Sequence, residues 1–332
     1  MPPHLTIAIP TFNGARHLAD TLRSILENLP GRPCSLVLCD DRSDDDTLAI
    51  AARELGDRAR ILVNPERLGL AGNWNRCVAL AETDLVTIIH QDDLILPGHF
   101  SAHLAAFDRS PNLAMTCGAI QVIDSAGLPI PPSVIERPDL GPTDRLFPPG
   151  TFVAELAARN PVRCSSVMLR AEALNEVGGF DPAYRYAVDW DCWLRIARRR
   201  PVAWVATPTV AVRWHPESET HRFRRGTADL DEVAALLDQV HTLDAARLPD
   251  PRASRRAADR ALSAAYLNRS LDALHAGDAP LARSCLRRSL WLHRSALGRI
   301  LRDPRLGLQM AALALAPRLA SRHNQRPGAP SA

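Results

Sequence analysis

The first two thirds of the chain predict an α/β fold, a mixed but mostly parallel sheet flanked by helices, and the last third predicts an all-α region. Three observations carry this. Short apolar runs alternate with helically spaced stretches over residues 5–89, the connections between them are short, and from Asp229 onward apolar residues recur only at helical spacing.

Leu5–Ile9 is an apolar strand run, broken by Pro10-Thr11-Phe12-Asn13-Gly14. Residues 15–28 then carry Leu18, Leu22, Ile25 and Leu26 at helical spacing. Ser35–Cys39 reads as the second strand, and Asp44–Leu55 as a helix with acids in its first turn, where they suit the helix dipole. Arg60–Val63 is the third strand and Leu70–Ala81 the third helix. Leu85–Ile89, a run apolar but for Thr87, fits a strand buried on both faces.

The 332 residues hold 40 basic and 37 acidic side chains, and every basic one is Arg. Residues 1–216 carry 21 Arg against 25 acids, whereas residues 217–332 carry 19 Arg against 12, so an acidic front precedes a basic back. At 46% hydrophobic and 23% charged the composition is globular. No basic stretch followed by an apolar one opens the chain, so no signal peptide is expected. Leu306–Pro317 is shorter than the roughly 20 residues that span a bilayer. Seven scattered Cys with no CxxC fit a reducing cytoplasm and argue against a disulfide framework or a zinc site. The first strand lacks a G-x-G-x-x-G turn, and a chain without Lys excludes a P-loop.

In open α/β sheets ligands bind beyond the carboxyl ends of the strands. Here those ends are followed by Pro10-Thr11, by Asp40-Asp41, by Asn64-Pro65-Glu66-Arg67 and by His90-Gln91-Asp92-Asp93. Hard oxygen ligands after a buried strand suit Mg²⁺ or Mn²⁺ bridging to phosphates. Asp40 and Asp41 can accept hydrogen bonds from a base or from ribose hydroxyls. Asp is also a preferred helix cap, and each of these residues has that alternative use.

The segments Thr6–Asn13, Leu36–Ser43 and Leu85–Asp93 resemble successive motifs of family 2 glycosyltransferases. Arg67-Leu68-Gly69 and Asn75 fall between the second and third. Gly178-Gly179-Phe180-Asp181 and Asp189–Arg195 resemble the acceptor-side motif, and Val212–Pro216 the closing segment. The resemblance covers about residues 4–220. It implies a Rossmann-like GT-A fold and inverting transfer from a nucleotide-diphosphate sugar, UDP-, dTDP- or GDP-linked, to a glycan or lipid-linked acceptor in cell-surface polysaccharide or glycoconjugate synthesis. By the same resemblance Pro10 and Thr11 lie beside the base, Asp40 and Asp41 contact base and ribose, and Arg67 lies near base or phosphate. Asp92 is the metal ligand that ends the DxD motif, Asp93 the adjoining acid, and His215 approaches diphosphate or metal. Asp189 is the general base. The implied cofactor is Mn²⁺ or Mg²⁺. Two departures stand out: His90-Gln91-Asp92 replaces DxD, with His90 and Gln91 expected on the nucleotide sugar, and Val188 stands where Glu often precedes the base.

Trp190, Trp193 and Trp204 could stack on a sugar or base, but at least two are expected in the core. Pro129–Pro149 is a Pro-rich insertion, an acceptor loop or a surface loop. Arg198-Arg199-Arg200 suits the last turn of a helix on dipole grounds.

The expected domains are residues 1–222 for the transferase, 223–323 for a helical region and 324–332 for a disordered tail. In the helical region Leu230, Val233, Leu236, Leu237 and Val240 share a face. Leu267–Leu274 and Leu281–Leu290, joined at Gly277-Asp278, resemble a tetratricopeptide-type helix pair, which is expected to pack on the transferase domain or on another subunit. A last helix over about Leu306–Ala320, with Arg at both ends, suits peripheral contact with the inner face of the membrane or docking on its own protein. No groove-reading motif points to nucleic acid. A cytoplasmic inverting glycosyltransferase is thus expected, against a nucleotidyltransferase of similar fold or an inactive nucleotide-sugar-binding protein.

Overall fold

The computed structural model describes residues 5–131, 140–215, 217, 218, 223 and 226–315. The chain divides into two compact units, Met1–Leu156 with Asn160–Ser218, and Ala157–Arg159 with Glu219–Ala332.

The first unit runs β1 (Leu5–Thr11), α1 (Leu18–Glu27), β2 (Cys34–Asp40), α2 (Thr47–Leu55), β3 (Arg60–Val63), α3 (Gly69–Ala79), β4 (Leu85–Ile88), β5 (Leu94–Ile95) and α4 (His99–Arg109). It continues with β6 (Met115–Ile123), β7 (Pro129–Ile130), β8 (Arg145–Phe147), α5 (Val153–Leu156), β9 (Val167–Arg170), α6 (Ala171–Glu176), α7 (Val188–Ala197) and β10 (Val202–Arg213). The strands form one mixed sheet in the order β3-β2-β1-β4-β9-β6-β10-β5. β3, β2, β1 and β4 are mutually parallel, as the alternating pattern predicts. β9 then runs antiparallel between β4 and β6, β6 and β10 are parallel, and β5 closes that edge antiparallel to β10.

β1 is longer than its apolar run. It continues through Pro10 to Thr11, paired with Cys39 and Asp40 of β2. Proline has no N–H, so it fits a strand only where no ladder bond is needed. The Ala8 carbonyl points to β4, where it accepts from Ile89, and the Thr11 carbonyl points to β2, where it accepts from Asp41. Pro10 therefore faces the β4 side, and that ladder has already ended at Ala8–Ile88.

α2 starts at Thr47, three residues after the sequence expectation, because Asp45 is engaged elsewhere: its carboxylate accepts from the Ala15 and Thr47 N–H groups. α7 starts at Val188, so Asp189 lies inside its first turn. The main core packs Ile7, Ile9, Leu38, Leu85, Phe100 and Phe107, all at most 2% exposed. Each contributes about 1.5–3 kcal/mol by leaving water. Trp190, Trp193 and Trp204 are all buried, so none presents a free ring face. The Pro-rich insertion forms β7 and β8, and residues 132–139 within it lie outside the described residues.

The second unit holds α8 (Ala228–Leu243), α9 (Pro251–His275), α10 (Ala279–Leu292), α11 (Ser295–Arg302) and α12 (Pro304–Leu315). Asp250 and Asp278 cap α9 and α10, each followed within two residues by Pro, a favoured residue in the first turn. The two helices pack antiparallel, with the Ser263 hydroxyl on the Ser289 carbonyl at 2.9 Å and the Ser270 hydroxyl on that of Ala282 at 2.7 Å. Gly277 makes the turn at φ +80°, a left-handed conformation that glycine adopts without strain. Arg269 and Asp229 form a buried bidentate pair at 2.7 and 3.0 Å. The expected last helix is α12, which begins at Pro304 and is preceded by the separate α11; residues 316–320 of the expectation, like the tail 324–332, lie outside the described residues.

Candidate active site

Parallel pairing brings the ends of β1 and β2 side by side, with Thr11 opposite Asp40. The Thr11 hydroxyl donates to Asp40 Oδ1 at 2.9 Å; Ser43 donates its N–H to Oδ2 at 2.8 Å and its hydroxyl to Oδ1 at 2.6 Å. Asp41 Oδ1 accepts from Asn64 Nδ2 at 2.9 Å and from the Leu68 N–H at 2.7 Å, and Oδ2 accepts from the Gly69 N–H at 2.9 Å. The Leu68 and Gly69 donors are the orphan N–H groups that open α3, so Asp41 caps that helix from another strand. Both aspartates are buried. An ionised carboxylate offers about four acceptor sites, and the protein fills three on each.

The loop after β1 is fixed from the far side by Gln91. Its amide oxygen accepts the Phe12 N–H at 2.9 Å, and its amide nitrogen donates to the Phe12 carbonyl at 3.0 Å. This side chain passes so close to Gly14 that a Cβ there would lie 2.2 Å from Gln91 Oε1. Arg67 lays its guanidinium over the Phe12 ring, 3.6 Å from the centroid, a cation–π contact that leaves both at the surface of the loop.

His90, Asp92 and Asp93 gather just past β4, with ligand atoms all within 4.8 Å of one another. The His90 ring stacks on Trp74 at 5.1 Å, and its buried Nε2 has no hydrogen-bond partner. Asp93 is buried: Oδ2 accepts the Ser165 hydroxyl at 2.6 Å and Oδ1 the Arg213 N–H at 3.0 Å. Burial and the neighbouring Asp92 charge push its pKa up to about 6. Asp92 Oδ2 meets His215 Nε2 at 2.9 Å, and His215 Nδ1 meets Glu217 Oε2 at 3.1 Å. Burial works to raise the Asp92 pKa, but the His215 hydrogen bond and the nearby imidazoles outweigh it and hold the carboxyl below its usual range. The Asp92 bond in turn raises His215. A carboxylate at each ring nitrogen makes both nitrogens donors, which is the imidazolium form. Arg213 is buried, and its Nε donates to the Asp92 carbonyl at 2.9 Å, which fixes the backbone from which Asp92 projects.

Asp189 accepts from Asn160 Nδ2 at 3.2 Å and from the following Trp190 N–H at 2.7 Å. The turn Cys164–Ser166, which leads into β9, joins this carboxylate to the β4 cluster. Ser165 holds Asp93 and accepts the His90 N–H at 3.0 Å, while the Cys164 thiol is pushed up by burial and by the charges of Asp189 and Asp93. The Gly178-Gly179-Phe180 turn is anchored by Asn75, which bonds both the N–H and the carbonyl of Phe180. Gly179 is required there, since φ is +73° and a Cβ would lie 2.7 Å from Asn75 Oδ1.

Residues 6–169 match the family model of glycosyl transferase family 2. The chain belongs to that family and is a glycosyltransferase. It is 29% identical over 256 residues to the uncharacterized protein MT1568 of Mycobacterium tuberculosis, a match spanning 71% of this chain and 76% of that protein. It is 28% identical over 201 residues to the putative glycosyltransferase EpsE of Bacillus subtilis, spanning 58% of this chain and 66% of the relative. In fold it is similar to S. aureus TarS 1–349 in complex with UDP-GlcNAc, with TM-score 0.58, 13% identity and 97% of this chain and 89% of that chain covered. It is also similar to the Pyrobaculum calidifontis mannosyltransferase PcManGT in complex with GDP-Man and Mn²⁺, with TM-score 0.53, 19% identity and coverage of 88% and 85%.

The structure adds residues that the sequence does not single out: Ser165, Arg213, Glu217 and Asn160, each bonded to a predicted site residue or, for Glu217, to His215. Only Arg213 and Glu217 carry a local signal, standing two residues either side of His215.

Proposed function

We propose that this glycosyltransferase moves a sugar, with inversion, from a UDP-, dTDP- or GDP-linked donor to a hydroxyl on a glycan or lipid-linked carrier in the cytoplasm. One observation carries the assignment of roles. Asp40, Asp41 and Asp93 are buried under protein donors, whereas Asp92 keeps 22% of its side-chain surface and Asp189 is half-buried. The two accessible carboxylates are the ones placed to meet the leaving group's metal and the acceptor, while the buried three frame the site behind them.

His90, Asp92 and Asp93 fit a hard divalent ion: their ligand atoms converge, and His90 Nε2 is buried without a partner. Mn²⁺ or Mg²⁺ held there, with His215 alongside, would screen the charge of the diphosphate leaving group. Pro10, Thr11, Asp40 and Asp41 form the floor for the nucleoside, Asp40 and Asp41 each with one acceptor site remaining. Arg67 stands beside them over Phe12, and Gln91 holds the loop they share. Asn160 orients Asp189, whose carboxylate takes the proton from the acceptor hydroxyl as that oxygen attacks the anomeric carbon. A positioned base of this kind contributes about 10²–10⁴-fold.

The test is Asp189→Asn with a panel of sugar nucleotides. Donor binding should persist while turnover falls by about 10²–10⁴-fold, and the parent's product should have the anomeric configuration opposite to the donor's. Turnover near that of the parent would remove Asp189 as base. A second reading, an inactive sugar-nucleotide binder, is favoured by His90 in the DxD position and by the apolar, buried Val188 before Asp189. Donor binding without transfer in the parent would select it.

A further inference from the structure

We infer that the face built by the end of α10 with α11 and α12 docks on an anionic bilayer. Among the described residues, five of the eleven exposed large apolar side chains fall within residues 290–308: Leu290, Trp291, Leu297, Leu301 and Leu308. Trp291 is 72% exposed and Leu301 75%. Leu297 and Leu301 are four apart on α11 and so share a face. The other side of that helix is engaged, since Ala296 is buried and Ile300 packs in the cluster that contains Leu267, Met310 and Leu313. The exposed leucines are therefore surplus to the core.

The charge around them has one sign. Residues 279–305 hold seven Arg and one acid, Asp303. Arg288 lies over the Trp291 ring, 4.7 Å from its centroid, and Arg294 and Arg302 flank the α11 leucines in sequence. Leucine and tryptophan beside arginine is the composition of a helix face that lies in the headgroup boundary. The apolar tips enter, the Arg stems lie along them, and the guanidiniums meet lipid phosphates. A second copy of this face would bring the same surplus of positive charge, which opposes pairing. A nucleic-acid backbone would satisfy the arginines and leave Trp291 and Leu301 unexplained. No described helix is long and apolar enough to cross a membrane, so the contact is peripheral. Neither the apolar nor the basic signal is a stable anchor alone, and here both occur together. The inference does not rest on the transfer reaction, and its test reads binding only.

The full chain should co-sediment with phosphatidylcholine vesicles containing phosphatidylglycerol and not with phosphatidylcholine alone. Arg294→Gln and Arg302→Gln should each weaken binding by about fivefold, the equivalent of about 1 kcal/mol per basic residue at a charged surface. Leu301→Ser should weaken it while leaving the melting temperature unchanged, since the side chain is exposed. The blue shift of tryptophan emission on vesicle addition should vanish in Trp291→Phe. Equal binding to both vesicle types, unchanged binding by the Leu301 and Arg variants, or a dimer that Trp291→Phe dissolves would each overturn the assignment.

Discussion

Gly14→Ala tests the lacing between the loops after β1 and β4. The backbone at Gly14 is not left-handed, so alanine can adopt it. A Cβ would nonetheless lie 2.2 Å from Gln91 Oε1, more than 1 Å inside ordinary contact, and the Gln91 amide must leave. Two hydrogen bonds to Phe12 go with it, at about 0.5–1.5 kcal/mol each, or about 1–3 kcal/mol together. Against this, Gly→Ala restricts the unfolded chain and returns about 0.4–1 kcal/mol. The net expectation is a loss of about 1–2 kcal/mol, with a higher KM for donor because Phe12 and Arg67 loosen together. In a Gln91→Ala background the obstacle is gone, and the same substitution should stabilise by about 0.4–1 kcal/mol. Urea denaturation of the four chains in this double-mutant cycle measures both signs. An equal loss in both backgrounds would refute the Gln91 contact as the cause.

Asp92→Ala should abolish the dependence of donor affinity on Mn²⁺, measured by calorimetry; equal affinity with and without Mn²⁺ in the parent would remove the metal role. Stability should fall on acidification, because burial lowers the pKa of His103 to about 4 and that of His99 well below its usual value. A folded pKa below the unfolded value of about 6.5 gives stability that is present above pH 6.5 and lost as pH falls toward 4, about 2 kcal/mol for His103 alone by pH 5; a urea midpoint unchanged between pH 7 and 5 would contradict it. Asp229→Ala leaves Arg269 buried and unpaired and should destabilise the helical unit by about 3–5 kcal/mol in thermal unfolding.

β1 and β4 are legible because burial on both faces makes Leu5–Ile9 and Leu85–Ile89 apolar but for Thr6 and Thr87, and β2 and β3 because short apolar runs recur between turns. The far half of the sheet is not. Only long-range pairing sets β9 antiparallel between β4 and β6, and no local pattern encodes it. The same limit applies at the site. Carboxylates after parallel strands mark its position from sequence alone. What each carboxylate does depends on donors brought from elsewhere: Leu68 and Gly69 to Asp41, Ser165 and the Arg213 backbone to Asp93, Asn160 to Asp189. Asp92 and Asp93 are adjacent in the chain, yet one lies below the usual carboxylate range and the other rises to about 6. That difference arises from the burial of Asp93 beside the Asp92 charge and from a histidine more than a hundred residues away that bonds Asp92.

The bonds of Asp40 and Asp41 also bear on how such an enzyme changes over evolutionary time. Asp40 fastens Thr11 to Ser43, and Asp41 fastens Asn64 to the start of α3, so a substitution at either reaches two segments at once. Arg67 and Phe12, lying on one another above that lattice, answer to far fewer constraints. If these four residues meet the donor as proposed, a lineage shifting from one nucleotide to another would vary the upper pair and inherit the lower pair unchanged.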